Sequence, residues 1–266
     1  MPEIFELEFM RRAFAAGLLI SIIVPLIGVF LVVRRYALMA DTLAHVSLVG
    51  VAVGILTNSH PVVSAVAAST LAAVAIERLR GIKSLFAESV LAIFLSGSLA
   101  VAVVIISLAR GLNVDLLSYL FGSISTISPM DLYMLAAVFV AVILAITLLY
   151  KEFFLVSFDE EFAEAGGVRA RNLNLLIVVL AAVTISLSMR IVGILLIGAL
   201  MVIPVVSAKQ FSLSFRNTIF LSIFFSLLSV VSGLTLSYYL DLASGGTIVL
   251  VALIIFLLTF IIKRPE

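Results

Sequence analysis

The chain has 266 residues, 64% of them hydrophobic and only 12% charged, with a mean hydropathy of +1.36. Soluble domains average roughly 45–50% apolar and about 25% charged residues, so this composition excludes a soluble enzyme or binding module and belongs to a membrane protein. Sixteen Lys plus Arg against fifteen Asp plus Glu leave a net charge near +1, which speaks against a nucleic-acid partner, and the lack of cysteine restricts any metal to N, O or Met sulfur ligands.

A hydrocarbon layer about 30 Å thick needs around 20 apolar residues per helix, because every backbone polar group must be paired internally in lipid. Segments near 11–33, 36–57, 61–79, 86–109, 131–150, 173–189, 191–208, 217–240 and 247–262 qualify, giving an all-α polytopic bundle of about nine spans in one transmembrane domain over residues 1–266. Eight spans are possible. The run from Leu173 to Ala208 is interrupted only by Arg190 and Gly193, and the first span could lie partly in the interface. That first span follows Arg11 and Arg12 and runs from Ala13 to Val33, longer than the roughly 7–15 residues of a signal-peptide core, with no small-x-small cleavage site behind it. It is expected to be retained.

The second span carries the first chemistry. Asp41 and His45 stand four residues apart, which on a helix is one face with Cβ atoms about 5–6 Å apart, so both can reach one ion. Arg34 and Arg35 mark a membrane surface, and at 1.5 Å per residue His45 lies roughly 15 Å deeper. Ionisable groups at such depth cost about 2.5–3.5 kcal/mol on insertion scales and usually face a pathway or a partner. A carboxylate with an imidazole suits Mn, Fe or Zn, but two ligands are too few, and a two-fold-related copy would supply four. The opposed reading is that the two simply satisfy each other between helices. Gly50 and Gly54 lie on another face and read as G-x-x-x-G helix packing, while His60, before Pro61 in a short turn, is a weaker candidate for metal capture.

Glu77 and Glu88 flank the basic turn from Arg78 to Lys83 and are expected to pair locally. The segment from Gly111 to Pro129 is too Ser-rich to span yet too apolar for a free loop, so an interfacial or re-entrant piece at the outer surface is predicted. The stretch 151–172 is the longest hydrophilic run. Within it Asp159, Glu160 and Glu161 open a short helix through Phe162 and Ala163, and Gly166 and Gly167 stop it. This helix reads either as a solvated loop or as a coupling peg for a motor subunit. Pro25 and Pro204 fall inside spans, and Met39, Met189 and Met201 read as packing residues.

If stretch 151–172 is cytoplasmic, alternating nine spans puts Arg34, Arg35, Arg78, Arg80, Lys83, Lys151, Arg169, Arg171, Lys209, Arg216, Lys263 and Arg264 inside. Only Arg11, Arg12, Arg110 and Arg190 then fall outside. Basic residues favour the cytoplasmic side, so the N-terminus is expected outside and the C-terminus inside. No stretch matches G-x-x-x-x-G-K-[ST], so any ATP binds elsewhere.

These residues resemble a known family, the permeases of zinc, manganese and iron ABC importers. The run from Phe9 through Gly28 and Arg34-Arg35 to His45 is similar to the family pattern RRxxLxGDALSH, with Asp41 and His45 at the positions implicated in metal passage, Ala40 in place of glycine and Thr42 in place of alanine. Phe158 to Val168 looks like the family's FDPEFARxxG coupling segment, with Glu160 where proline is common. Val192 to Leu196 with Pro204, and Ser237 to Leu250, resemble its C-terminal spans, with Ala243 replacing a frequent proline.

The resemblance implies a homodimer around a central path, docked on two cytoplasmic ABC ATPase subunits and fed by an extracytoplasmic metal-binding protein. Its setting would be the plasma membrane of a prokaryote. On this expectation the chain is not an enzyme and holds no covalent cofactor; it passes a divalent ion, and ATP is bound by the partner. Both ligands act deprotonated, so binding weakens in acid. Three rivals are a proton-coupled secondary transporter, an ABC permease for a siderophore or cobalamin chelate, and a non-transporting scaffold.

Overall fold

A computed structural model describes residues 6–81, 86–108, 116–123 and 127–263. Lys83, Arg110, Arg264 and residues 111–115 and 124–126 of the stretch between the fourth and fifth spans lie outside the described residues. Among the described residues twelve helices follow in order: α1 Glu8–Val33, α2 Ala37–Leu56, α3 Pro61–Arg80, α4 Ala87–Leu108, α5 Leu116–Phe121, α6 Pro129–Leu148, α7 Tyr150–Phe158, α8 Glu160–Ala165, α9 Ala170–Val192, α10 Ile194–Lys209, α11 Phe215–Leu240 and α12 Ser244–Ile262. The described residues contain helices, turns and bends alone, as the composition predicts.

Eight of these helices are long and apolar enough to cross a membrane, and α10 is a shorter apolar helix of 16 residues. The sequence left eight against nine spans open at this place. At about 24 Å, α10 is short for a bilayer, yet it joins the same two ends of the bundle as its neighbours. It begins at Gly193, whose φ of +90° breaks the helix, and there the backbone meets Leu120 and Phe121 of α5. It ends at Lys209, six residues before Phe215, whose ring packs against Phe30, Phe154 and Phe158 at the opposite end. The α9 and α10 boundaries differ from the expected 173–189 and 191–208 by a few residues, with the break at Gly193.

One end of the bundle gathers the α1–α2 turn, the end of α3, helices α7 and α8, and the starts of α9 and α11. The residues recording this are Arg34, Tyr36, Arg80, Glu160, Asn174 and Phe215. The other end gathers the start of α1, α5, the α9–α10 break and the start of α12, through Arg12 to the Ile127 carbonyl, the Ser123 amide to the Arg190 carbonyl and the Ser244 hydroxyl to the Ile191 carbonyl. Helix α5 thus lies across the end of the bundle over α9, α10 and α12, where an interfacial piece was expected.

Helices α1, α2, α9 and α10 form the centre, and α4 and α6 expose most of their surface. Without a hydrophobic drive between helices in lipid, small residues that let backbones approach decide the packing. Gly50 and Gly54 do this on α2: a Cβ on Gly50 would sit 2.5 Å from the Ala65 Cα, and one on Gly54 2.8 Å from the Pro61 Cα. Behind them the hydroxyls of Ser47, Ser186 and Ser69 meet at 2.8 and 2.6 Å, joining α2, α9 and α3; Met39, Met189 and Met201 are fully buried in the bundle.

Candidate functional site

Asp41 and His45 occupy successive turns of α2 and both are half-buried, whereas Thr42 to Ala44 and Val46 to Leu48 between and beyond them are buried. The helix therefore turns its packed faces to α3, α4, α9 and α10 and leaves Asp41 and His45 on one narrow, less buried strip. His45 is the ninth of twenty residues, about 12 Å along the helix, somewhat nearer the basic end than its middle. Its Nδ1 lies 2.8 Å from the Asp41 backbone carbonyl. A carbonyl only accepts, so Nδ1 carries the proton and donates it, which leaves the Nε2 lone pair to bind an ion. This is the arrangement by which metal-ligating histidines are commonly oriented, an outer hydrogen bond fixing tautomer and ring angle.

The Asp41 carboxylate lies against Gly198 of α10, so closely that a Cβ at that position would overlap Oδ1. Gly198 makes the room in which the carboxylate sits. Sequence reasoning did not single it out, although an isolated glycine within a buried helix is a signal of close approach. Replacing it with alanine tests this. In an unconstrained helix alanine is favoured by about 0.8–1.0 kcal/mol, so Gly198→Ala is expected to leave folding intact while lowering metal uptake roughly tenfold, the scale for disturbing a ligand's support. Uptake equal to the parent protein would show that the carboxylate has room elsewhere.

Among the described residues no group of three or more His, Asp or Glu side chains converges on a point. At this place the chain brings together two such side chains, Asp41 and His45. His60 is not brought beside Asp41 and His45: it is the exposed residue before α3, across a turn from the far end of α2, some 16 Å beyond His45 along that helix. Glu77 pairs with Arg80 at 3.6 Å as expected, and Glu88 is exposed.

The hydrophilic stretch forms the short helix its residues predict. The Asp159 side chain accepts from the Phe162 amide at 2.9 Å, capping α8, and Glu160 and Glu161 occupy the first turn, where the helix dipole favours acids. At the other end Val168 N donates to Ala163 O and Gly167 N to Glu164 O, both at 3.0 Å, a Schellman closure that requires the φ of +84° at Gly167. Ala163 is buried toward α7 and α9, while the Phe158 and Phe162 side chains stand 62% and 64% exposed. Phe162 on this doubly capped helix, and Phe158 just before it, which touches Phe154 and Phe215 yet stays mostly exposed, form an aromatic surface of the kind a protein groove would cover.

Against known proteins, the profile described as "ABC 3 transport family" matches residues 6–263. A probable metal transport system membrane protein of Treponema pallidum is 38% identical, over 97% of this chain and 97% of that one. The high-affinity zinc uptake system membrane protein ZnuB of Haemophilus influenzae is 31% identical, over 97% of this chain and 99% of its own length. Among solved structures, PsaBC of Streptococcus pneumoniae in complex with Fab superposes with a TM-score of 0.87 at 29% identity, covering 98% of this chain and 94% of that one.

Proposed function

This chain belongs to the ABC 3 transport family, and from that premise we propose that it is the permease through which an ATP-driven importer passes a divalent metal ion, Zn, Mn or Fe, across the plasma membrane of a prokaryote. The observation that carries the reading is the strip on α2, a half-buried carboxylate and an imidazole with its Nε2 free, one turn apart within the span. A carboxylate and a neutral imidazole suit these three ions alike, and geometry and supply choose among them. Two such strips facing each other across a two-fold axis make an Asp2His2 site, so the working unit is a homodimer with the ion path at its interface.

The basic end faces the cytoplasm. Of the described basic residues, Arg34, Arg35, Arg78, Arg80, Lys151, Arg169, Arg171, Lys209, Arg216 and Lys263 lie there, and Arg11, Arg12 and Arg190 at the opposite end. The N-terminus is then outside and the C-terminus inside. The peg α8, with Asp159, Glu160, Glu161, Phe162, Ala163, Gly166 and Gly167, meets a cytoplasmic ABC ATPase, and the end carrying α5 receives the ion from an extracytoplasmic metal-binding protein. ATP hydrolysis belongs to the partner, in keeping with the missing phosphate-binding loop.

Reconstitution decides between this and a proton-coupled carrier. Liposomes holding the chain with its ATPase are expected to accumulate Zn2+ or Mn2+ only when ATP and the binding protein are both supplied. Accumulation by the purified chain alone under a pH gradient would overturn the ABC mechanism.

A further inference from the structure

Peg α8 packs on α7 and α9, and a cavity of about 460 Å³ separates it from the ends of α2 and α3. Its walls include Tyr36, Glu77, Arg80, Glu160 and Asn174, and one side chain of the peg bridges it. Glu160 accepts from Asn174 Nδ2 of α9 at 2.8 Å through Oε1 and pairs with Arg34 Nη2 at 3.4 Å through Oε2. Arg34 is in turn 4.9 Å from the Tyr36 ring centroid, and Arg80 of α3 lies 3.4 Å from the same centroid while pairing with Glu77.

Two guanidinium groups on one ring repel each other, and both are nearly buried, at 6% and 9% exposure. Among the described residues the acids paired with them are Glu77 and Glu160, so the Glu160 charge helps decide where Arg34 sits. The position of Arg34 then sets that of α2. The α1–α2 turn is closed by Tyr36 N to Leu31 O at 2.7 Å and Arg35 N to Val32 O at 3.1 Å, with Arg35 at a φ of +60°, and the Tyr36 carbonyl accepts from Met39 N at 2.9 Å inside α2. A pull on Arg34 is therefore passed without slack to a helix whose metal-binding strip begins at Asp41.

We propose that Glu160 is the positioning residue through which movement of α8 reaches the metal-binding helix α2, the cavity giving α8 room to travel. This rests on the reading of α8 as the ATPase-facing peg. The measurement is the number of Mn2+ ions imported per ATP hydrolysed by the complete permease–ATPase complex in liposomes.

Glu160→Gln keeps an acceptor for Asn174 and removes only the charge facing Arg34. It is expected to lower that ratio about 2- to 30-fold, the span seen for residues that carry coupling. Arg34→Gln should lower it by a similar factor, and the double variant should lose no more than either single one, because all three remove the same link. An unchanged ratio in Glu160→Gln, or losses that multiply in the double variant, overturns the inference while the transport function stands. A parent complex that imports nothing with ATP overturns the transport reading, and this inference with it.

Discussion

Alanine at either Asp41 or His45 is expected to reduce metal uptake at least about 100-fold while the protein still reaches the membrane in normal amounts. The size follows from symmetry. No third His, Asp or Glu joins Asp41 and His45 among the described residues, so on the proposed reading a site completed by a second copy contains each of the two twice. A single substitution then removes two of four donors. Disturbing only the outer support of a ligand already costs about 10–100-fold, so removing two direct ligands must cost more. Folding should survive, because both side chains are half-buried on the polar strip and the packed face of α2 is made by other residues.

Uptake of radioactive Mn2+ and Zn2+, measured beside membrane yield, checks the result. A mixed dimer with one altered copy is informative too, since a shared site loses function with a single bad copy, whereas two independent paths would keep half. Full uptake by both single variants would remove the pair from the transport path.

The second large effect is on stability. Asp131→Ala is expected to destabilise the protein by about 3 kcal/mol. Asp131 caps α6 by accepting from the Ser128 amide at 2.9 Å and the Ser128 hydroxyl at 2.7 Å, and the same oxygen pairs with Arg190 Nη1 at 2.5 Å. Arg190 also donates to the Tyr119 hydroxyl at 3.2 Å. This joins α6, α5 and the last turn of α9 beside the Gly193 break. Loss of a cap costs about 0.5–2 kcal/mol. Stranding the buried partner of an ion pair costs about 3–5 kcal/mol, reduced here because the Arg190 side chain keeps 18% of its exposure.

Asp131→Asn retains an acceptor for the Ser128 groups and loses only the charge, so it should show about half the effect. Thermal unfolding in detergent reports both. If Asp131→Ala melts with the parent protein, the pair behaves as a surface ion pair, worth about 0–1 kcal/mol.

Arg190 shows where local reading stops. In the sequence it is one of four basic residues assigned to the outer side and a candidate break between spans. In the structure the break falls at Gly193, and Arg190 is the centre of a polar clasp whose acid lies 59 residues earlier. Gly198 and Glu160 are of the same kind. Glycine at 198 is unremarkable until α10 is laid beside Asp41, and the acid at 160 reads as one of three helix-opening acids until Arg34, 126 residues away, is found next to it.

What the sequence determined alone is whatever depends on neighbours within a turn or a span. Apolar length set the helices, since backbone polar groups in lipid have no other partners. The four-residue spacing put Asp41 and His45 on one strip, and acids followed by glycines shaped α8. Only the tertiary structure decided that α10 runs between both ends of the bundle despite its 16 residues, that Gly198 houses the Asp41 carboxylate, and that Glu160 reaches the α1–α2 turn. Periodicity records which face a residue occupies and leaves open which helix will lie against it. That choice is made by close packing between segments far apart in the chain.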